Sequence, residues 1–351
     1  MGVQYQLRPA VWTALYQKAC AAMDVILHLG SHRTGTTTFQ SYLANNERML
    51  KRLGIVSWRP KRLRKGMMSG LLGRPDQVTA HGFKRAQRSC GLIRMEMDRM
   101  QKLGVSHLIV SEENMIGAMR NNLREERLYP GLAARMARMR EAFADSCTRI
   151  VLCVRSYDEY WASSLGYAVA SGHSVPMKGQ LDRLVTQPRR WRHMVTELSD
   201  AFPAAHLVVW PFEAMAGQPE KQLRLMTGTN APLPLKGARA WHHKGQSDAN
   251  LQQLVAERGE AEALAFFTGE ADRWMPFDGA QQMALRAQYA SDIRWLKNGA
   301  DGCATFVQSP DKTEIIEENE WLADAAAERR ASPTRGQIHD GQDSKARRQV
   351  G

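Results

Sequence analysis

Short runs of apolar residues, separated by polar stretches, recur along this chain. Four of them have the length of buried strands: Val25–Leu29, Leu108–Val110, Ile150–Val154 and Leu207–Trp210. Strands that are apolar throughout, rather than alternating, are typical of parallel sheets covered on both faces. Each run is followed by a loop and a helical stretch. The pattern therefore predicts an α/β domain with a central parallel sheet.

Helices are predicted where apolar residues recur with helical periodicity. These stretches are Thr36–Leu53, Leu123–Ala144 with a break near Pro130, Tyr157–Ala170, Arg189–Ala201, Ala249–Phe267 and Gly279–Leu296. Between the first two predicted strands lies the basic run Arg59–Lys65, which we expect in a loop-rich insertion. Such a run is usually a solvated loop, although together with later arginines it would also suit an acidic glycan.

The two ends of the chain differ in character from its centre. Residues 1–23 form a predicted N-terminal extension, in which residues 1–22 either pack on the sheet as a helix or lie upstream of a start at Met23. We place the main globular domain at residues 24–305. Residues 306–351 are polar and charged, which is typical of a disordered tail, with one short helix expected near Thr313–Ala327.

Composition narrows the class of protein without identifying it. Of 351 residues, 43% are hydrophobic and 24% are charged, which is typical of globular proteins. The net charge of +12 suits an anionic partner: nucleic acid, an anionic membrane surface, an acidic polymer or a polyanionic cofactor. The five cysteines are scattered without a C-x-x-C pair, and no apolar run is long enough to cross a bilayer. We therefore expect a cytoplasmic protein with reduced cysteines.

The most informative motif follows the first predicted strand. Two glycines with four residues between them let backbone N–H groups approach an anion, and a helix that starts directly afterwards adds its positive dipole end. The spacing matches a Walker A loop, but Thr36 stands where that motif has lysine, and the cation is Arg33 instead. The candidate anion-binding residues are Gly30, Ser31, His32, Arg33, Thr34, Gly35, Thr36, Thr37 and Thr38.

A second motif follows the third predicted strand. Arg155 stands where the strand ends, and Ser163 lies eight residues later, inside the following helix. An arginine and a serine in this arrangement can converge on one anion, because the first supplies a charged fork of donors and the second a hydroxyl donor.

Together the two motifs resemble the sulfotransferases that use 3′-phosphoadenosine-5′-phosphosulfate (PAPS). The resemblance implies a three-layer α/β fold like that of P-loop NTPases. It also implies that the Gly30–Thr38 loop holds the 5′-phosphosulfate and that Arg155 and Ser163 grip the 3′-phosphate. Tyr157 departs from the family, which often has proline there, and His242–Gly245 is the candidate for its C-terminal lid loop.

Sulfuryl transfer to a hydroxyl requires stabilisation of the leaving phosphate and a base for the acceptor. Arg33 is the candidate for the first role. For the second we select Glu112 and Glu113, because they end the second predicted strand, at the edge of the sheet that also carries the phosphate loop. Alternatively, these glutamates are acids at a helix N-terminus, stabilised by the helix dipole, or residues that simply bind the acceptor. His32 suits substrate or cofactor binding and equally an ordinary loop position. No metal is expected in the reaction.

The sequence leaves two other functions open. A P-loop kinase or NTPase would share the fold, but the lysine after Gly35 and an evident Mg²⁺-binding aspartate are lacking. A nucleic-acid-binding protein would account for the positive charge, but no helix-turn-helix, aromatic RNA-binding motif or zinc-ligand spacing is present. For a sulfotransferase, the acceptor could be a carbohydrate, a lipid head group, a tyrosine or a small alcohol, with carbohydrate slightly favoured.

Overall fold

A six-stranded sheet, parallel in every pairing, forms the centre of the molecule. The computed structural model describes residues 23–143, 146–229, 235–242 and 245–308. In chain order the strands are β1 (Asp24–His28), β2 (Ile55–Trp58), β3 (His107–Ser111), β4 (Cys147–Val154), β5 (His206–Pro211) and β6 (Thr305–Phe306). Residues 1–22 and 309–351, including the predicted tail helix, lie outside the described residues.

The strands are arranged in the order β2-β3-β1-β4-β5-β6. The four strands that the sequence predicts are present as β1, β3, β4 and β5, so the predicted α/β class is confirmed. Strands β2 and β6 add one edge each. Next to β6, Val307 is buried and its N–H donates to the carbonyl of Val209, at the predicted end of the domain.

Eleven α-helices of six residues or more are described around this sheet, besides shorter turns and 3₁₀ helices. They are α1 (Thr36–Asn45), α2 (Glu47–Arg52), α3 (Ala80–Lys102), α4 (Met119–Arg124), α5 (Leu132–Phe143), α6 (Tyr157–Ala170), α7 (Lys178–Thr186), α8 (Trp191–Ala201), α9 (Pro219–Thr227), α10 (Asp248–Glu257) and α11 (Gly279–Lys297). Within the described ranges, none is both long and apolar enough to span a membrane.

Helices cover both faces of the sheet and so form three layers. Along β1, Val25 and Leu27 face one hydrophobic cluster and Ile26 faces the other, as the alternation of strand side chains requires. Helices α3, α5, α6 and α8 contribute to the first cluster, and α1, α2 and α9 to the second. Burial of this apolar surface is the main term that stabilises the layers.

Three helix predictions change in detail. The predicted helix Ala249–Phe267 ends at Glu257 as α10, and a separate 3₁₀ helix, Ala261–Phe266, follows it. The predicted helix Thr36–Leu53 is divided at Asn46, whose side-chain amide donates to the carbonyls of Tyr42 and Lys236, each at 2.8 Å. The stretch Leu123–Ala144 is also divided, as expected near Pro130. Helices α6 and α11 closely match their predicted bounds.

The basic run Arg59–Lys65 is helical, so its assignment to a loop is wrong. Pro60 starts a short helical turn, Pro60–Arg62, and the chain continues through a π-helical turn, Leu63–Met67, in which Leu63 and Met67 are buried. Its three arginines form ion pairs with carboxylates of this chain. Arg59 pairs with Glu47, Arg62 with Glu96, and Arg64 with Glu112 and Glu113.

Strand order brings the two sequence motifs to one edge of the sheet. Strand β1 lies between β3 and β4, and the chain places its next two strands on one side of β1 before it crosses to the other. The carboxyl ends of parallel strands at such a switch point form a crevice where ligands bind. The loops that leave β1, β3 and β4 therefore share one rim.

Candidate functional site

A cavity of about 320 Å³ opens at this rim. That volume lies within the range of small-molecule sites, roughly 300–1,000 Å³. The residues that line it come from the loop after β1, from the segments after β3 and β4, and from the chain after β5. They are His32, Arg33, Gly35, Thr36, Thr37, Glu113, Met119, Arg120, Arg155, Ser163, Tyr167, Phe212, Trp241, His242, Gly245 and Arg273.

The loop after β1 adopts a conformation that depends on positive φ angles. Gly30 has a φ of 52°, Arg33 of 64° and Gly35 of 78°. A side chain at Gly30 would meet the hydroxyl of Thr36 at 2.7 Å, so glycine is needed there for space as well as for backbone conformation. Arg33 adopts the left-handed region without being glycine, which is a strained conformation found often at functional sites.

Buried hydroxyl groups inside the loop hold this conformation. Ser31 donates from Oγ to the carbonyl of Cys153 at 2.7 Å, which ties the loop to β4. Thr34 accepts the N–H of Ser31 at 3.1 Å and donates to its carbonyl at 2.6 Å. Thr38 accepts the N–H of His242 at 3.1 Å. Ser31, Thr34 and Thr38 are therefore supports of the loop, and none of them is among the lining residues.

The two sequence motifs meet at Arg33. Its Nε donates to the hydroxyl of Ser163 at 2.9 Å, and its carbonyl accepts from a guanidinium nitrogen of Arg155 at 2.7 Å. Arg155 is almost fully buried and also pairs with Glu159 at 2.9 Å. Arg273 pairs with the same carboxylate. Three guanidinium groups are thus collected on one side of the cavity.

Burial of these neighbouring guanidinium groups costs free energy, because it desolvates their charges. The pKa of Arg33 is lowered, first by burial and then by the neighbouring charge of Arg155. Burial also lowers the pKa of Arg155, against the opposing effect of Glu159. Arginine remains protonated through such shifts. Concentrated positive charge of this kind is relieved by an anionic ligand.

Aromatic rings lie beside the cationic groups. The guanidinium of Arg155 lies over the ring of Phe212, 4.5 Å from its centre, and that of Arg33 lies 5.3 Å from the centre of the Tyr167 ring. Phe212 and Trp241 form an edge-to-face pair with centroids 6.3 Å apart. Trp241 is 42% exposed. This side of the cavity therefore offers flat apolar surfaces next to anion-binding groups.

Glu112 and Glu113, which directly follow β3, have different surroundings. Glu112 is fully buried, and its two oxygens accept from Arg64 at 2.8 and 2.6 Å and from the N–H of Asn114 at 3.0 Å. Glu113 lines the cavity, with its side chain 18% exposed. Its oxygens accept from Arg64 at 2.9 Å and from Gln40 at 3.1 Å.

The charge state of Glu113 is set by its neighbours. Burial alone would raise its pKa, but His32, the local backbone N–H, Arg64 and Gln40 outweigh that effect, and the pKa lies below its usual value. Burial lowers the pKa of His32, which favours the neutral imidazole. A carboxylate and a neutral imidazole therefore face each other at this end of the cavity.

His32 is oriented by a buried tyrosine. The hydroxyl of Tyr129 accepts the His32 backbone N–H at 2.7 Å and lies 2.9 Å from Nδ1. The hydroxyl also carries a hydrogen that it can donate to Nδ1. The second ring nitrogen, Nε2, lies 3.4 Å from Oδ1 of Asn114, an acceptor, and this contact suits a proton on Nε2.

The cavity brings together most of the residues selected from the sequence. Arg33, Gly35, Thr36, Thr37, His32, Arg155, Ser163 and Glu113 line it. Gly30, Ser31, Thr34 and Thr38 shape the loop behind it. Glu112 is adjacent but enclosed by Arg64. His242 and Gly245 of the candidate lid line the cavity as well, and the two residues between them lie outside the described ranges.

Several lining or supporting residues were missed by sequence reasoning. Arg64, Tyr129 and Arg273 reach the site from distant parts of the chain, and Phe212 and Trp241 follow β5. Only the position of Phe212, directly after a strand, is a sequence signal, since strand ends of a parallel sheet form the rim. The others carry no motif.

No group of three or more His, Cys, Asp or Glu side chains that could hold a metal ion is found among the described residues. Comparison with protein-family models, with curated proteins and with solved structures found no match for this chain.

Proposed function

We propose that this protein is a sulfotransferase that moves a sulfuryl group from PAPS to an acceptor hydroxyl. The observation that carries the proposal is the contact between the two motifs: Arg33 of the glycine loop bonds to Ser163, and Arg155 bonds to the backbone of Arg33. The same residues carry the sequence resemblance, and they join one anion-binding loop to a second anion-binding pair.

In this proposal the loop after β1 holds the 5′-phosphosulfate. The N-terminus of α1 lies beside the cavity with its first backbone N–H groups, and the Thr37 hydroxyl adds a donor. The Thr36 hydroxyl donates within the loop, to the carbonyl of Ser31 at 3.3 Å. Arg33 supplies the cation that a Walker A lysine supplies elsewhere. Its strained backbone keeps the side chain on the cavity side of the loop.

The part of the cavity directly beside this loop accepts the 3′-phosphate and the adenine in this proposal. Arg155, Ser163 and Arg273 provide charged and hydroxyl donors within one region of the lining. The Nε–H of Arg155 is buried and has no hydrogen-bond partner among the described residues. Phe212 and Trp241 present flat rings beside these groups, which suits a purine base.

The chemical step follows from these positions. The acceptor oxygen forms a bond to sulfur while the bond from sulfur to the bridging phosphate oxygen breaks. The electron pair of that bond stays on the 5′-phosphate, and adenosine 3′,5′-bisphosphate leaves. Arg33 and the loop N–H groups stabilise the developing charge, because they are fixed before the reaction. The acceptor proton passes to a base.

Glu113 is the base in this proposal, in preference to Glu112. Glu113 lines the cavity and remains ionised, whereas Glu112 is fully buried, is bound by Arg64 and is not among the lining residues. Near Glu113 lie Met119 and the exposed Arg120, which leaves room for an acceptor at this end. A carbohydrate hydroxyl remains the favoured acceptor from the sequence.

A transfer assay tests the function. The purified protein is incubated with [³⁵S]PAPS and fractionated cell extract, and label is followed into glycan, lipid, protein and small-molecule fractions. We expect label in one fraction, with adenosine 3′,5′-bisphosphate as the co-product. An Arg33→Ala protein serves as the control. Equal labelling by that variant, or labelling only from [γ-³²P]ATP with Mg²⁺, would contradict the proposal and favour a kinase.

A further inference from the structure

We propose that Arg64 is a positioning residue that neutralises Glu112 and thereby keeps Glu113 ionised and aimed into the cavity. The inference rests on the proposed function only in the role that it gives Glu113 as a base. The contacts themselves, and their effect on the charge of Glu113, can be measured without any substrate.

The geometry divides the guanidinium group between two consecutive carboxylates. Nε and one terminal nitrogen of Arg64 bind the two oxygens of Glu112, at 2.8 and 2.6 Å. The same terminal nitrogen donates to Oε1 of Glu113 at 2.9 Å. Paired, parallel hydrogen bonds of this kind fix orientation as well as charge, and lysine cannot reproduce them.

The segment that carries Arg64 is anchored for this purpose. Leu63 is fully buried, and Met67 is nearly so, which fixes the turn Leu63–Met67 on both sides of the arginine. Gly66 has a φ of 124°, which ends the regular helix there. The arginine is thus held between two buried apolar contacts, although its own side chain is 44% exposed.

Charge explains why the arrangement matters. Two neighbouring carboxylates repel each other when both are ionised, and the burial of one of them adds the cost of desolvating its charge. An arginine bound to the buried member removes that repulsion. Glu113 can then remain ionised although it is partly buried itself.

Other groups also act on Glu113 and must be separated from Arg64. His28 on β1 and His32 in the loop lie near enough to interact electrostatically with it. Gln40 on α1 donates a neutral hydrogen bond at 3.1 Å. Arg120 of α4 lines the same cavity. None of these groups binds Glu112, so among the described residues only Arg64 couples the two carboxylates through direct contacts.

The test is a titration of Glu113 by ¹³C NMR in protein labelled at the glutamate carboxyl carbon. Loss of one resonance in Glu113→Gln assigns the signal. In Arg64→Gln we expect the apparent pKa of Glu113 to rise, because its carboxylate loses a charged donor and the charge of Glu112 is no longer offset. In Glu112→Gln, which removes the repulsion and leaves Arg64 to Glu113 alone, we expect it not to rise.

Two further variants complete the experiment. Arg64→Lys keeps a charge without the fork, so we expect a smaller upward shift; it also serves if Arg64→Gln does not fold. Arg62→Gln is the matched control, because Arg62 lies two residues away and pairs with Glu96 at the surface. An unchanged Glu113 pKa in both Arg64 variants, or an equal shift in Arg62→Gln, would overturn the inference. Adenosine 3′,5′-bisphosphate binding, measured separately, reports on the proposed function.

Discussion

Arg33 connects the two halves of the site through its side chain and its backbone. The side chain bonds to Ser163 on α6, and the carbonyl accepts from Arg155 at the end of β4. Its left-handed backbone makes both contacts possible at once. Because the residue also lines the cavity, it can interact with charge that develops on a bound ligand.

Replacement of this side chain tests its role. We expect Arg33→Ala to lower sulfuryl transfer by about 10²–10³-fold, as loss of one preorganised donor does elsewhere. The affinity for adenosine 3′,5′-bisphosphate should fall much less, since Arg155 and the loop N–H groups remain. Turnover measured with [³⁵S]PAPS and calorimetric binding separate the two effects. Near-native turnover would show that the role assigned to this loop is wrong.

At the residue scale, sequence spacing identified the groups that lie in motifs. Arg33 follows the end of β1, and Arg155 and Ser163 follow the end of β4. These strands are neighbours in a parallel sheet, so the proximity of the three residues could be predicted. Arg64 and Tyr129 could not, because their approach depends on how two insertions pack. The enclosure of Glu112 was missed for the same reason: its partner lies 48 residues away.

The element that matters most is the turn from β1 into α1. A strand end, a loop with three positive φ angles and a helix N-terminus follow one another without a gap. The glycine at the start of the loop leaves room for Thr36, and Gly35 precedes the helix in the left-handed conformation. This turn therefore has little tolerance for an added side chain.

A matched pair of glycine substitutions measures that tolerance. Gly30→Ala places a Cβ against the Thr36 hydroxyl and forces alanine to a φ of 52°. We expect it to lower the free energy of unfolding by about 1–3 kcal/mol and to weaken ligand binding. Gly91→Ala, in the middle of α3 with no atom near its added Cβ, should raise the free energy of unfolding by roughly 0.5–1 kcal/mol.

Chemical denaturation of the two variants provides the measurement. If Gly30→Ala were as stable as the wild type and bound ligand normally, the loop conformation described above would not be required.

Elements with strong apolar patterns were predictable, and polar ones were not. Strand β2 contains Ser57 and only four residues, so it resembles a loop in the sequence. Helix α3 was missed because it is largely polar, contains Gly82 and Gly91, and buries only a narrow stripe that includes Ile93 and Met97. Tertiary packing, rather than local propensity, determines such elements.

Among the described residues, Arg33, Arg155 and Arg273 lie at the carboxyl edge of the sheet, close to the buried His28 at the end of β1. Many other arginines are paired with carboxylates of this chain, as in Arg189–Glu197 and Arg183–Glu126. These arginines are therefore poor candidates for steering an acidic ligand. Arg33, Arg155 and Arg273 also make internal contacts, but all three line the cavity. Because His28 is buried, its protonation is coupled to unfolding, and the free energy of unfolding depends on pH.

Stability should fall as the pH decreases below neutrality. Burial lowers the pKa of His28 to about 4, against 6.5 in an unfolded chain, so the unfolded state binds more protons between these values. The free energy of unfolding at pH 5 should therefore be about 2 kcal/mol lower than at pH 7 from this residue alone. His32 acts in the same direction. Urea unfolding across this range measures the effect.

His28→Asn is the control for this pH dependence. It keeps a polar group that can reach Ser111 but does not titrate, so the decline between pH 7 and pH 5 should be smaller than in the wild type. An identical decline in both proteins would assign the effect to other groups.

Recognition of a 3′-phosphate is the central claim, and calorimetric titration without metal tests it most directly. We expect adenosine 3′,5′-bisphosphate to bind without Mg²⁺, about 10–100-fold more tightly than 5′-AMP, since a buried charge-assisted contact is worth about 1.5–3 kcal/mol. Arg155→Ala should remove most of that preference, whereas Arg183→Ala, at an exposed ion pair, should retain it. Equal binding of the two nucleotides, or binding of ATP with Mg²⁺ alone, would contradict the account.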